Sequence, residues 1–252
     1  MKTAWSTRLG SVAVTLALLA LWALITHLGW VSPVFLPTPG ATLDALVSGF
    51  ASRDLAALTW ATVQHMVYGW ALASLIGIAV GACIGTSATL RTWLTPTLEL
   101  LRPLPASALV PVMIAFVGLS PAMVLIVIAF GASWPVLLAT IQGFASVEPR
   151  LREVAQVLRL TRPAFVLKIG LPNAMPDALA GMRMSLTVAL ILAVVGEMLA
   201  SQEGLGSAIL LAARSFRAAD LYAGVALLGL VGLVSNRLLD LAERRALCWK
   251  NN

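Results

Sequence analysis

The sequence predicts an all-α membrane protein with six transmembrane helices in a single unit, residues 1–252. Three observations carry that expectation. Apolar residues make up 60% of the chain, against about 45–50% in an ordinary soluble domain. Charged residues are scarce and leave long stretches empty. Lys and Arg fall almost entirely on alternate connecting segments. With 17 Lys and Arg and 11 Asp and Glu, the chain has too few charges to cover a soluble surface of this size. A typical cytosolic enzyme, a disordered chain and a DNA-binding domain are thereby excluded. The net charge of +6 fits basic loops on one side of a membrane. Cys83 and Cys248 are too few for a disulfide framework and lack metal-ligand spacing.

The spans follow from the empty stretches. No Lys, Arg, Asp or Glu occurs in 9–43, 55–90 or 103–147. The last stretch, as one helix, would run on the order of 68 Å, too long for a single crossing. Gly118-Leu119-Ser120-Pro121 divides it with turn residues. Residues 178–199 are apolar except for Arg183 and Glu197, and residues 221–241 are apolar up to Arg237. The six helices are therefore placed at about 9–30, 62–87, 105–118, 121–143, 178–199 and 221–241, with boundaries good to ~2–4 residues. The stretch 41–59 is too polar and short to span, and reads as an interfacial helix. Residues 1–25 also carry features of a signal peptide. The apolar run continues to Trp30 without a small-residue stop, which favours a first span.

The Lys/Arg bias sets the orientation. With the N-terminus inside, the inner segments hold Lys2, Arg8, Arg91, Arg102, Arg150, Arg152, Arg159, Arg162, Lys168, Arg183, Arg237, Arg244, Arg245 and Lys250. The outer segments hold only Arg53, Arg214 and Arg217. Both termini and the polar block 144–177 are then cytoplasmic. Within that block, Pro149 followed by Leu151, Val154, Val157, Leu158 and Leu160 spaces apolar residues along one helical face. Pro163 starts a second short helix running to Leu171-Pro172. From physics alone, these helices either lie on membrane lipid or dock into a partner protein.

Polar groups inside the spans are expensive and invite explanation. Glu197, near the outer end of the fifth span, either lines a pathway, contacts a partner, or hydrogen-bonds a neighbouring helix. Gln64, His65 and Tyr68, at the start of the second span, are candidates for an outer vestibule or for interface anchors. Arg183 is expected to snorkel to the cytoplasmic surface. Gly77, Gly81 and Gly85 let another helix approach closely, within the chain or across a dimer. There is no Ser-His-Asp set, phosphate loop or metal-ligand cluster in the sequence, so the chain is not expected to be an enzyme or to hydrolyse ATP itself.

Glu153-Val154-Ala155, Ile169 and Leu171-Pro172 sit at the spacing of the EAA loop. The chain therefore resembles the permease subunits of type I ATP-binding-cassette (ABC) importers. Val154 stands where that loop has Ala, and Arg159 where it has Gly. The motifs Ser32-Pro33-Val34-Phe35-Leu36-Pro37, Glu99-Leu100-Leu101-Arg102-Pro103-Leu104-Pro105, Gly196-Glu197-Met198 and Gly204-Leu205-Gly206 are similar to the taurine, sulfonate and nitrate branch. The resemblance implies a multi-pass protein of the bacterial inner membrane with N- and C-termini cytoplasmic. It implies a coupling helix in 144–177 in which Glu153, Val154, Ala155, Val157, Leu158, Arg159, Ile169, Leu171 and Pro172 serve the ATPase contact. The implied partners are a second permease copy, two ATPases and a periplasmic or lipid-anchored binding protein, with no nucleic acid. This chain itself holds no cofactor, and ATP and Mg bind in the ATPase. The substrate class is a small anion such as a sulfonate, taurine or nitrate. Aromatic acids and pyrimidine vitamin precursors remain alternatives, as does an ATPase-independent secondary transporter.

Overall fold

The computed structural model describes residues 2–247, which form helices and turns with no strand. Cys248 and Lys250 lie outside them, as do the side chains of Lys2, Arg8 and Arg162.

The chain opens with α1 (Lys2–His27). Helix α2 (Pro39–Ala51) starts where Pro39 presets φ and the Thr38 hydroxyl accepts from the Ala41 amide at 3.1 Å. The stretch 41–59, expected as one interfacial helix, is thus divided: α2 ends at Ala51 and α3 (Asp54–Thr86) already begins at Asp54. Ser87 then caps α4 (Ala88–Leu101). Pro103 and Pro105 break the helix, because proline lacks an amide donor and disfavours the α conformation in the residue before it. After the break, a 3₁₀ turn (Ala106–Leu109) leads into α5 (Val110–Val117), and the two arms are bent by 77°. The expected third span at 105–118 is therefore the second arm of a broken element that begins at Ala88.

Ser120 caps α6 (Pro121–Ala145). Next come α7 (Pro149–Val157) and α8 (Arg162–Phe165). The expected separate helix ending at Leu171-Pro172 is instead continuous with the fifth span. A π-turn (Val166–Gly170) joins α8 to α9 (Leu171–Ala200). Widening the helix there accommodates Pro172, whose ring would collide with the carbonyl one turn back. Two helices complete the chain: α10 (Leu205–Arg214), which the pattern of apolar residues did not announce, and α11 (Ala218–Ala246).

Four of the described helices are long and apolar enough to cross a membrane: α3, α6, the 163–200 run and α11. The bent 88–117 element makes a fifth, and α1 contributes a shorter apolar stretch, Val12–His27. The expected count of six is thus met by these criteria only to four or five. Packing explains why the bent element belongs among them. Gly69, Gly77, Gly81 and Gly85 of α3 face Ile128, Val136, Thr140 and Phe144 of α6, advancing in step. The two helices are therefore parallel, and the chain between them must climb back to its starting level.

Helix α9 runs antiparallel to α6, with Gly196 against Val124 at one end and Gly143 against Ala174 at the other. The core lies among α3, α6 and α9, built from Met66, Val124, Val127, Ile128, Leu186 and Ala189. Here the small residues pack against the chain's own α6. A Cβ on Gly81 would stand 2.7 Å from Thr140 and 3.0 Å from the Leu137 carbonyl. A second, smaller core of Leu205, Ile209 and Leu227, with Leu46, Leu55 and Leu58 packed on it, gathers α2, α10 and the starts of α3 and α11 at one end.

Candidate functional site

At the end opposite α10, α7 stands away from the bundle. Only Ala155 of this helix is buried; Val154 (48%), Val157 (82%) and Leu158 (64%) are exposed. An amphipathic helix ordinarily turns such residues inward, and here the apolar strip faces out. Glu153 is exposed beside it in the second turn, too far along to cap its own helix. Arg159, at the family's Gly position, adopts the left-handed conformation with φ 48°. The Arg159 amide donates to the Gln156 carbonyl (3.0 Å) and the Leu160 amide to the Ala155 carbonyl (2.9 Å). This is a Schellman turn, the helix ending that glycine usually makes. The tight turn forms with Arg in place of Gly.

Two residues that the motif reading passed over tie this loop to the bundle. Arg152 Nη2 donates to the Phe144 and Ala145 carbonyls (3.3 and 3.1 Å) at the end of α6. Asn173 Nδ2, in the first turn of α9, donates to the Gly143 carbonyl (2.9 Å) and to Ser146 Oγ (3.2 Å). The last carbonyls of α6 lack helical partners and take such donors readily. Gly170 lets the π-turn press on the Phe144 ring. Ile169 and Leu171 are half-buried and Pro172 is exposed. The end of α6 is thereby clamped between α7 on one side and the start of α9 on the other.

The opposite end carries a buried polar knot. Glu197, in the last turn of α9, is 0% exposed. Its Oε1 meets His65 Nδ1 at 3.0 Å, and its Oε2 accepts from Thr62 Oγ1 (3.0 Å) and the Gly206 amide (2.9 Å). Thr62 in turn accepts from the Leu205 amide at 2.8 Å. The knot fastens α3, α9 and the start of α10. It also explains two motifs read separately in the sequence: a Cβ on Gly204 or Gly206 would strike the Glu197 side chain. Glu197 thus engages its own chain, hydrogen-bonding a neighbouring helix. Of its expected companions only His65 joins it. Gln64 is half-buried apart from the knot and Tyr68 is 60% exposed. The useful spacing was Thr62 to His65, three apart on one face.

Arg183 does not simply reach for the surface. It bonds Asp240 Oδ1 at 2.9 Å and also Glu243, holding α11 to α9, while Arg244 joins Asp240 at 3.1 Å.

Comparison with known proteins agrees with this layout. The family of binding-protein-dependent transport system inner membrane components matches residues 73–247. The chain belongs to this family. The permease is 31% identical over 235 residues to a Bacillus subtilis protein named for aliphatic sulfonates transport, covering 93% of this chain and 85% of that one. It is 30% identical over 245 residues to the taurine transport system permease protein of Escherichia coli, covering 95% and 89%. Its place is therefore the taurine, sulfonate and nitrate branch of ABC permeases. A crystal structure of an amino acid ABC transporter superposes with a TM-score of 0.64 at 18% identity, covering 80% of this chain and 98% of that chain, and shares the fold.

Proposed function

We propose that the permease is the translocating subunit of an ATP-driven importer for a small anion, a sulfonate or taurine first among them. It works as a dimer with two ATPase subunits docked at α7 and a binding protein received at the α10 end. In this reading α7 and both termini are cytoplasmic, in keeping with the Lys/Arg distribution.

One observation carries the proposal. The apolar strip of Val154, Val157 and Leu158 faces outward on a helix whose own arginine is bonded to the end of α6. Such a helix offers a partner an apolar ridge and a rigid connection to the bundle. ATPase closure would move α7, and the clamp at Gly143–Ser146 would pass the movement to α6 and α9. The names of the sulfonate and taurine relatives support the substrate class.

The test is co-purification of the detergent-solubilised permease with its ATPase, comparing the parent chain with Val157→Asp. A carboxylate buried in an apolar groove loses its hydration without a partner. Docking should be lost while expression and membrane insertion persist. Full ATPase recovery and transport in Val157→Asp would show that α7 is not the docking element.

A further inference from the structure

A groove of about 340 Å³ opens beside the break between α4 and α5. Its floor is set by Gly131, near the middle of α6, where a Cβ would stand 2.6 Å from Ala106 and strike Leu192 of α9. The broken segment therefore nests at mid-height on the bundle, between α6 and α9. Most of the lining is aliphatic, with Val188, Ile191, Leu192 and Val195 on the α9 side. Three polar side chains interrupt it: Arg102, Ser107 and Trp134.

Each of the three lacks a partner. The exposed Arg102 guanidinium is in none of the ion pairs or side-chain hydrogen bonds found among the described residues, not even with Glu99 one turn earlier. The sequence places Arg102 with the inner loops; in the fold its side chain lines this groove. The Ser107 hydroxyl is likewise exposed and unbonded. The Trp134 indole N–H is buried with no acceptor, whereas those of Trp22 and Trp70 donate to the Pro37 and Met182 carbonyls. Unpaired cations and orphan donors at membrane depth are costly, and mark pathway sites more often than accidents. No carboxylate lines the groove. Its volume suits a small organic ion rather than a lipid chain.

From this we infer an anion-binding subsite within the membrane. Arg102 supplies the countercharge, Ser107 supplies a neutral donor, and the aliphatic wall with the Trp134 ring accepts the substrate's carbon end. Discrimination in favour of anions then resides partly in the permease and not only in a binding protein. The inference rests on the proposed importer role, and names the residues and the charge of the ligand that role would use.

The test needs neither ATPase nor binding protein. In the full-length purified chain with Cys83 and Cys248 changed to Ser, Ser107→Cys is reacted with an anionic methanethiosulfonate (the ethylsulfonate) and with its cationic trimethylammonium counterpart. Rates are normalised to a free thiol. The anionic reagent should be preferred, and adding R102Q should cut the preference at least about tenfold, as the loss of one unit charge about 6 Å away gives even at the dielectric of bulk water, the anion losing an attraction and the cation a repulsion. R102K should keep most of it. Ethanesulfonate should slow labelling of the Ser107→Cys chain, and choline should not. An unchanged reagent ratio in R102Q, or no protection by ethanesulfonate where R102Q fails to fold, overturns the inference. Failure here with intact ATPase co-purification leaves the importer role standing. The expected ratios in a chain that recruits no ATPase would instead remove that role and keep the anion site.

Discussion

Replacing Glu197 by Ala strips one acceptor group from three donors at once: Thr62 Oγ1, the Gly206 amide and His65. All lie where water does not reach the carboxylate. Removing one side of a buried, hydrogen-bonded charge costs about 3–5 kcal/mol. For a chain of this size that corresponds to a fall in melting temperature of about 10 °C. Glu197→Gln discriminates between charge and hydrogen bonding. The amide oxygen can take the place of Oε2 and accept from Thr62 and Gly206. The amide nitrogen then donates to His65 Nδ1, with the imidazole proton on Nε2. Every group keeps a partner, and the cost should be about 1 kcal/mol. Thr62→Val should fall between the two, because it leaves the Leu205 amide without its acceptor. Thermal unfolding of the detergent-solubilised permease, followed by tryptophan fluorescence, ranks the three. A melting temperature for Glu197→Ala within about 2 °C of the parent would refute the knot as a structural tie, since that corresponds to less than ~1 kcal/mol. Equal losses for Glu197→Gln and Glu197→Ala would refute the hydrogen-bonding account and leave charge as the reason.

Two further predictions concern the loop. Arg159→Gly relieves a left-handed non-glycine residue, worth about 1–2 kcal/mol, against a loss through the more flexible unfolded chain, so a net gain of about 0.5–1 kcal/mol is expected. A lower melting temperature would show that the Arg159 side chain makes a stabilising contact outweighing the strain. Asn173→Ala cuts the bonds to Gly143 and Ser146 while leaving the α7 surface untouched. It should keep ATPase co-purification and lose most substrate-stimulated ATP hydrolysis, the opposite order of defects from Val157→Asp, and unaltered stimulation would remove the α9 side of the clamp from the coupling route.

The class of protein could be read from the residues alone, because a bilayer demands long apolar helices and leaves charges nowhere else to go. The spans centred on α3, α6, α9 and α11 were legible for that reason, and so was the loop motif from Glu153 to Pro172. What the sequence could not disclose depended on contacts between distant segments. A hydropathy pattern cannot distinguish a straight helix from one broken at Pro103 and Pro105, so the bent element surfaced only in the fold. It cannot say which group answers a buried carboxylate either. Thr62 and His65 come from one stretch and the Gly206 amide from another, and only their convergence makes Glu197 a tie between helices. Arg102 makes the same point in reverse. Its place among basic residues suggests the inner surface, and only the fold shows that the notch at Gly131 seats its segment against α6 and α9. Local sequence determined where helices form and which of them are apolar. The fold alone decided which polar side chains are satisfied within the chain and which stand open, because satisfaction is a property of neighbours brought together by packing.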